Sequence, residues 1–583
     1  MHTKIAGMLA LAGAATLMMG CGGASKRGSV FENHFPTRDE LAKLESSTKL
    51  PAQVLDKSPP MVDTWHLGGS LPAQLVTLTH SDDSPWHQLL TQVIGGRSDV
   101  ALTEDLHCVA RVLGSFALER GGMPSRLLRD FMVRRCGSTA AGVNTNVLTG
   151  NDSASESAIF TAWKDQAQGM MKESLGMQKG PLAMGVWFGN EDGRQVLMVV
   201  SGRRLVSMEP VALVPTGDEV VLSGTLTETF QAVRAVINHG RFGYARCKDD
   251  QKVALPRFSL RCPIVREDAS EIIQVVGFKK GRYLGETVLD TVTYPGGAPI
   301  NDFSRAQLAG AGEADEPGVP ASAPAAGADT AARLTALVND LRAQAGMPPM
   351  TLSAAQTAQS RRLAPLYFAA MSREVSETVA DTIVLGLIAG WEIDGLVRDG
   401  GFTAGVSYDS GDGGEAELLE QMAARPFGRE ALFDESMQHI AIGDVRSGDG
   451  LGVLVTTYAT FTPTSSKQAL AHVLAKLNAE RARHGLPPAA ILGGASAVLK
   501  KIGTMVKRGE LSYDDAGNAM MDTLDNPGLR GYSWAANSLD ELEMPEALVK
   551  QKNLAVAAVV TYQKVKGVPW APYVLLLIYG ETR

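Results

Sequence analysis

The stretch LVNDLRAQAGMPPMTL, Leu337–Leu352, decides the fold, because the chain writes it again as KLNAERARHGLPPAAI, Lys476–Ile491. Aligned without gaps, Asn339 meets Asn478, Arg342 meets Arg481, Gly346 meets Gly485, Pro348-Pro349 meets Pro487-Pro488 and Leu352 meets Ile491. The match runs on, with Arg361-Arg362-Leu363-Ala364 over Lys500-Lys501-Ile502-Gly503. The pattern spells a helix, a stop, a turn and a second helix. Gly346 and Gly485 stand where a helix end favours a left-handed residue. The proline pair cannot continue the helix and holds an extended link.

A fainter third copy lies upstream. His87–Gly114 places Gly96 under Gly346, Leu102 under Leu352 and Arg111-Val112-Leu113-Gly114 under Arg361–Ala364. Further on, VRRCGSTAAGV from Val133 resembles VRDGGFTAGV from Val397. Each copy closes on two apolar runs around a polar, Gly-bearing turn: Pro181–Gly202, His439–Phe461 and Asn553–Gly580. Such pairs read as β-hairpins. Three related α/β modules are therefore expected at 75–205, 331–462 and 468–583.

Between the first two modules, residues 206–300 carry VALVP, EVVLSG, FGYARC, FSLRCPIV, IIQVVGF and TVLDTVTYP. Short β-rich runs at regular spacing predict a small sandwich or barrel, with QAVRAVINHG, Gln231–Gly240, as a short helix inside it. Residues 301–330 form an Ala/Pro/Gly linker that cannot bury a core. Residues 22–74 read as a tether and lead-in, with a short helix over Asp39–Glu45. The expected class is α+β, three tandem α-β-α modules and one β-sandwich-like domain.

The chain has 583 residues, 45% apolar and 20% charged, enough apolar material for several cores. A net charge of −8, without a basic stripe, excludes a nucleic-acid partner. At the N-terminus, one lysine at position 4 precedes a 13-residue apolar run, Ile5–Leu17, and a small-residue exit around Cys21. This reads as a signal peptide over residues 1–21, too short to span a membrane. The order Leu17-Met18-Met19-Gly20-Cys21 resembles the bacterial lipobox, with Met18 in place of the usual Leu. That resemblance implies a lipid on Cys21 and, with Gly22 following, an outer-membrane address facing the periplasm or the surface. No other stretch reaches the ~18 apolar residues of a spanning helix.

Setting Cys21 aside leaves four cysteines: Cys108, Cys136, Cys247 and Cys262. An even number in an oxidising compartment predicts disulfides. Pairing by proximity gives Cys108–Cys136 and Cys247–Cys262, each stabilising by roughly 3 kcal/mol in the chain-entropy model; the two other connectivities stay open on sequence alone. A metal reading that joins His239 to Cys247 and Cys262 fits no zinc spacing.

The module opening, with Asn and Arg in its first helix followed by Gly, Pro and Leu, resembles that of the CAP superfamily, the SCP-like domains of cysteine-rich secretory, antigen 5 and pathogenesis-related proteins. RPFGREALFDESMQHIAIGDV, Arg425–Val445, resembles the second half of that family, and DNPGLRGYSW, Asp525–Trp534, echoes it in the last module. The resemblance implies an α-β-α sandwich. It also implies a cleft in which active members gather two His and two Glu. Here the His of the Pro-Gly-His-Arg run matches Gly428, and Leu529 in the last module; the Gly-Glu-Asn run falls near Ala404-Gly405-Val406, which holds no Glu.

Other motifs offer little chemistry. Asp409, Asp412 and Glu415 lack the spacing of a calcium loop and read as a solvated turn. Ser447–Gly450 reads as a hairpin turn, and His107 as a partly buried helix residue. There is no Gly-x-Ser-x-Gly elbow, phosphate loop or dinucleotide fingerprint. The expectation is a non-enzymatic envelope lipoprotein without catalytic residues, metal or cofactor, held to the membrane by its lipid and binding an envelope protein, lipid or glycan. An envelope hydrolase, using His439 or His472 with a Glu, and a structural spacer are the alternatives.

Overall fold

The computed structural model describes residues 17–19, 35–50, 55 and 64–581, apart from 69–71, 73, 152–153, 177, 179, 241, 251, 266–269, 280–284, 298–300, 305–328, 372–376, 408–413, 448–449, 462–465, 525, 527, 537–538, 540–543 and 565–567. Cys21 and most of the Tyr408–Glu415 turn lie outside the described residues.

The repeated residues turn out to be fastenings. Helix Thr330–Gln344 starts at Asp329, whose carboxylate accepts from Ala332 N at 2.9 Å, and gives way to Gly346 at φ 72°. Asn339 then holds the returning chain on both sides, donating to Met350 O at 2.9 Å and accepting from Met350 N at 2.8 Å. The Arg342 guanidinium is fully buried. It donates to Pro348 O (2.9 Å), Leu432 O (2.9 Å), Asp434 O (3.0 Å) and Met437 O (3.2 Å). Helix Ser466–Arg483 repeats the device: Gly485 sits at φ 68°, Asn478 accepts from Ala489 N at 3.0 Å, and buried Arg481 donates to the carbonyls of Pro487, Leu548, Gln551 and Lys552. In the first module the left-handed residue after helix Pro85–Ile94 is Gly95, at φ 61°, one place before the aligned Gly96. Leu89 and Gln92 replace the Asn and Arg there, which explains why that copy is faint.

All three modules build one sheet topology. Val100–Leu102, Leu182–Glu191, Arg194–Arg203 and Ala141–Asn151 lie side by side in that order. Thr351–Leu352, His439–Ser447, Gly450–Phe461 and Leu396–Ser407 repeat the order, as do Ala490–Ile491, Leu554–Tyr562, Tyr573–Glu581 and Arg530–Ala536. In each, the short first strand pairs parallel with the hairpin and the remaining pairs are antiparallel. Leu17–Met19 adds a strand antiparallel to Gly400–Phe402. The central strands are apolar throughout because helices cover both faces. Val196, Met198 and Val200 enter the core under helices Glu104–Arg120 and Arg126–Arg135, while Leu197 and Val199 face helices Pro85–Ile94 and Glu156–Gly176. The same alternation puts Leu575 and Leu577 on one side of the last sheet and Leu576 and Ile578 on the other. The chain is thus an α+β protein with three α-β-α layers.

The β-rich segment is a sandwich of two four-stranded sheets around one core that includes Val220, Leu222, Leu260, Ile237, Ile273 and Leu289. The helix expected at QAVRAVINHG is instead the strand Ala232–His239, a central strand with partners on both edges. Its β-branched Val233, Val236 and Ile237 suit a pleated surface, and tertiary pairing overrides the helical reading.

These units share interiors. The Arg134 guanidinium of the first module makes a two-pronged bond to Asp290 of the sandwich, at 2.9 and 2.8 Å. Trp570 of the third module is fully buried in the second module's core and donates Nε1–H to Ile388 O at 2.8 Å. The described part of the lead-in is no free tether: helix Arg38–Ser47, closed by a Thr37–Glu40 capping box, buries Leu41 against Gly386 of helix Glu377–Ile388.

Candidate functional site

The run that resembles the CAP cleft motif forms helix Pro426–Phe433, and all eight of its residues are buried. On its inner side, a Cβ at Gly428 would overlap the carbonyl oxygen of Met422. On its outer side lies the β-sandwich. Arg429 donates to Ala423 O at 2.9 Å and Gly240 O at 2.7 Å, and burial pushes its guanidinium down to about 9. Arg246 meets Glu430 at 2.6 Å, Tyr244 donates to Asp434 at 3.0 Å, and Phe427 packs on Val236 and Val276. Burial, with Glu430 and Asp434 alongside, pushes the Tyr244 hydroxyl well above its ordinary value and keeps it a donor. Gly405 lies in strand Leu396–Ser407 against Leu418 and Met422. Gly428 therefore sits in a helix wedged between the second module and the β-sandwich.

The third-module echo is a sequence coincidence. Leu529 precedes strand Arg530–Ala536, which occupies the sheet position of Leu396–Ser407. The counterpart of helix Pro426–Phe433 is the short helix Glu546–Lys550, whose end receives Arg481 just as Arg342 caps the earlier one.

The cysteines join as Cys108–Cys136, with Cα atoms 5.7 Å apart, and Cys247–Cys262, 4.3 Å apart. The second bond staples neighbouring strands: Cys247 directly precedes Lys248–Asp249, which pairs antiparallel with Arg257–Pro263 as Lys248↔Arg261, so Cys247 stands opposite Cys262. His239 points elsewhere, with Nδ1 3.1 Å from Glu271 Oε1. His439 meets Thr460 Oγ1 at 3.3 Å. Glu415 is buried and paired with Arg333.

One polar cluster does gather metal-ligating groups, in the first module. Backbone bonds from His80 N to Leu102 O and from Glu104 N to Leu78 O, 3.0 Å each, tie the loop before helix Pro85–Ile94 to the start of helix Glu104–Arg120. This brings His80, Asp82, Glu104 and His107 together. His80 Nε2 lies 3.0 Å from Asp82 Oδ2, and its Nδ1 lies 3.0 Å from Glu104 Oε1. The His80 and His107 rings stack with centroids 3.7 Å apart. His107 Nδ1 is 2.9 Å from Val186 O, a bond only its N–H can make, which leaves Nε2 with the lone pair. His87 stands behind them, its Nδ1 3.9 Å from Asp82 Oδ2. Donor atoms of His80, Asp82 and His107 all lie within 4.8 Å of one another, and among the described residues no other such group of three or more His, Cys, Asp and Glu occurs. Burial opposes ionisation of Asp82, yet its bonds with Ser84 and His80 hold it near 2. Burial, seconded by His80, pushes His107 below the ordinary imidazole value, so it stays neutral. His107 is the half-buried helix residue expected from sequence; its partners came from a loop that sequence reading passed over. The available signal was three of the ten histidines within residues 80–107, interleaved with acids.

No protein-family model matches the chain, and no curated protein does. Among solved structures, an extracellular protein containing an SCP domain from Bacillus anthracis str. Ames aligns at 8% identity and TM-score 0.17, over 44% of this chain and 86% of that one. Among the described residues, no helix is long and apolar enough to cross a membrane.

Proposed function

We propose that the protein is a non-catalytic, lipid-anchored envelope scaffold whose CAP-like modules bind a protein, lipid or glycan. The observation that carries this reading is the burial of Pro426–Phe433. Where an active CAP member exposes a histidine in an open cleft, this chain has Gly428 sealed against Met422 and capped by its own β-sandwich. The lipobox-like run at Cys21 supplies the address. Trp570 fastens the third module to the second, and the Arg134–Asp290 pair fastens the first to the sandwich, so the joined domains offer a multi-faced surface, as a scaffold requires.

Two measurements test it. In a bacterial host fed an alkynyl fatty acid, the chain should take up label and a Cys21→Ala variant should not; label in the variant defeats the anchoring. The purified chain should leave peptide, ester and glycan substrates intact. Turnover that is lost when residues around Gly428 are changed would show that an active cleft exists, and would overturn the scaffold reading.

A further inference from the structure

We infer that His80, His107 and Asp82 form a binding site for a zinc-class divalent cation, with the Glu104 carboxylate beside His80. The site is separate from the family's cleft positions: it lies in the first module, between a loop and the first turn of helix Glu104–Arg120.

Three features of the geometry carry the assignment. The donors are two imidazole nitrogens and a carboxylate oxygen, all half-buried and within 4.8 Å of each other. That mixed set suits zinc and its first-row neighbours, whereas calcium and magnesium favour all-oxygen sites. His107 also has the second contact that metal-bound histidines use to fix tautomer and ring direction. His107 gives its Nδ1–H to the Val186 carbonyl, at 2.9 Å, and keeps Nε2 for an ion. His80 has its hydrogen bond at Nε2, 3.0 Å from Asp82 Oδ2, while Nδ1 lies 3.0 Å from the Glu104 carboxylate, an ion-pair distance without hydrogen-bond alignment. Finally, the frame is rigid. Asp82 Oδ1 accepts from Ser84 N at 2.8 Å, and Thr79 bridges to Thr103 across the loop.

The stack of the two rings shows what binding must change. The rings lie 3.7 Å apart with their planes 20° from parallel, and His80 Nε2 already gives its N–H to Asp82. An ion that takes Nε2 of His80 exchanges the Asp82 hydrogen bond for a shared metal. Three protein donors leave a fourth position of a tetrahedral ion for water, or for His87 if its ring follows.

The test is zinc titration of the tag-free, full-length chain after dialysis against chelator, with competition against a chromophoric chelator and cobalt(II) as a visible-light probe. The expected result is one zinc per chain, tetrahedral-type cobalt absorption, and no uptake of calcium or magnesium at equal concentration. His80→Gln/His107→Gln should abolish the bound equivalent. Asp82→Asn, nearly isosteric and still able to accept from Ser84, should weaken binding at least tenfold. Glu104→Gln, which removes a negative charge 3.0 Å from His80, should weaken binding at unchanged stoichiometry. Circular dichroism confirms that each variant is folded. A wild-type chain that takes up no zinc at micromolar concentration, or a folded double-histidine variant that binds as tightly as wild type, overturns the site.

Discussion

Replacing Arg342 by Met tests whether the repeated sentence is architecture. The guanidinium is fully buried and donates to four carbonyls, at 2.9, 2.9, 3.0 and 3.2 Å. A hydrogen bond from a charged donor is worth about 1.5–3 kcal/mol net, and a stranded buried acceptor costs about 1–3 kcal/mol. The four do not add, because an opened site lets some carbonyls rebind water and the desolvation of the cation is relieved. If two of the four stay stranded, the loss is about 4 kcal/mol, close to what removing one partner of a buried charged network costs. Since every ~1.4 kcal/mol is tenfold, local opening should become about a thousandfold more frequent. Native-state amide hydrogen exchange reads this directly: residues 430–440 should lose protection by that factor in Arg342→Met, while 546–556 keep theirs. Arg481→Met should invert the pattern, because its acceptors are Pro487, Leu548, Gln551 and Lys552. Arg342→Lys keeps the charge but not the fork, and should recover little. If exchange across 430–440 rises less than tenfold in Arg342→Met, the arginine does not hold that junction and its repetition needs another cause.

Two further outcomes follow from the junction between modules. Gly428→His should not fold normally: the Cβ alone overlaps Met422 O, and a melting temperature within about two degrees of wild type would refute the sealed-helix argument. Burial pushes the Asp130 carboxyl up, but Arg126, Arg425, Arg134 and Arg129 outweigh it and hold the value below the ordinary one. A carboxyl depressed on folding adds stability above its unfolded value, about 3.9, and loses it as pH falls through the folded value. Asp130→Asn should therefore cost about 3–5 kcal/mol at pH 7, by taking a counter-charge from the buried Arg425 and from Arg126, and the gap to wild type should narrow below pH 4. Thermal melts from pH 7 to pH 2.5 measure both effects; a gap that is constant with pH would mean that Asp130 acts through packing alone.

Sequence reading reached the architecture because architecture is written locally. Gly346 and Gly485 mark helix ends, the proline pairs mark the link, and apolar runs around 182–203, 439–461 and 554–581 mark hairpins covered on both faces. Each signal concerns residues a few places apart. The strand Ala232–His239 was misread for the complementary reason: its fate was set by partners at 243–246 and 271–278, which no local period announces. The echo at Asp525–Trp534 misled because a short string matched while its place in the sheet order differed. Function fared worse because it depends on what covers what. That Gly428 stands where the resembled run has a histidine is visible in the string; that the β-sandwich closes over the same helix through Phe427, Arg429 and Tyr244 is not. The histidine cluster makes the point from the other side. His80 and His107 are 27 residues apart and belong to no motif, and they meet because Thr79 bridges to Thr103 and the next helix begins there. A site assembled by a loop docking on a helix start has no period and no fixed spacing. It is found by asking which donors a backbone bridge carries into reach, and the sequence alone does not say where that bridge forms.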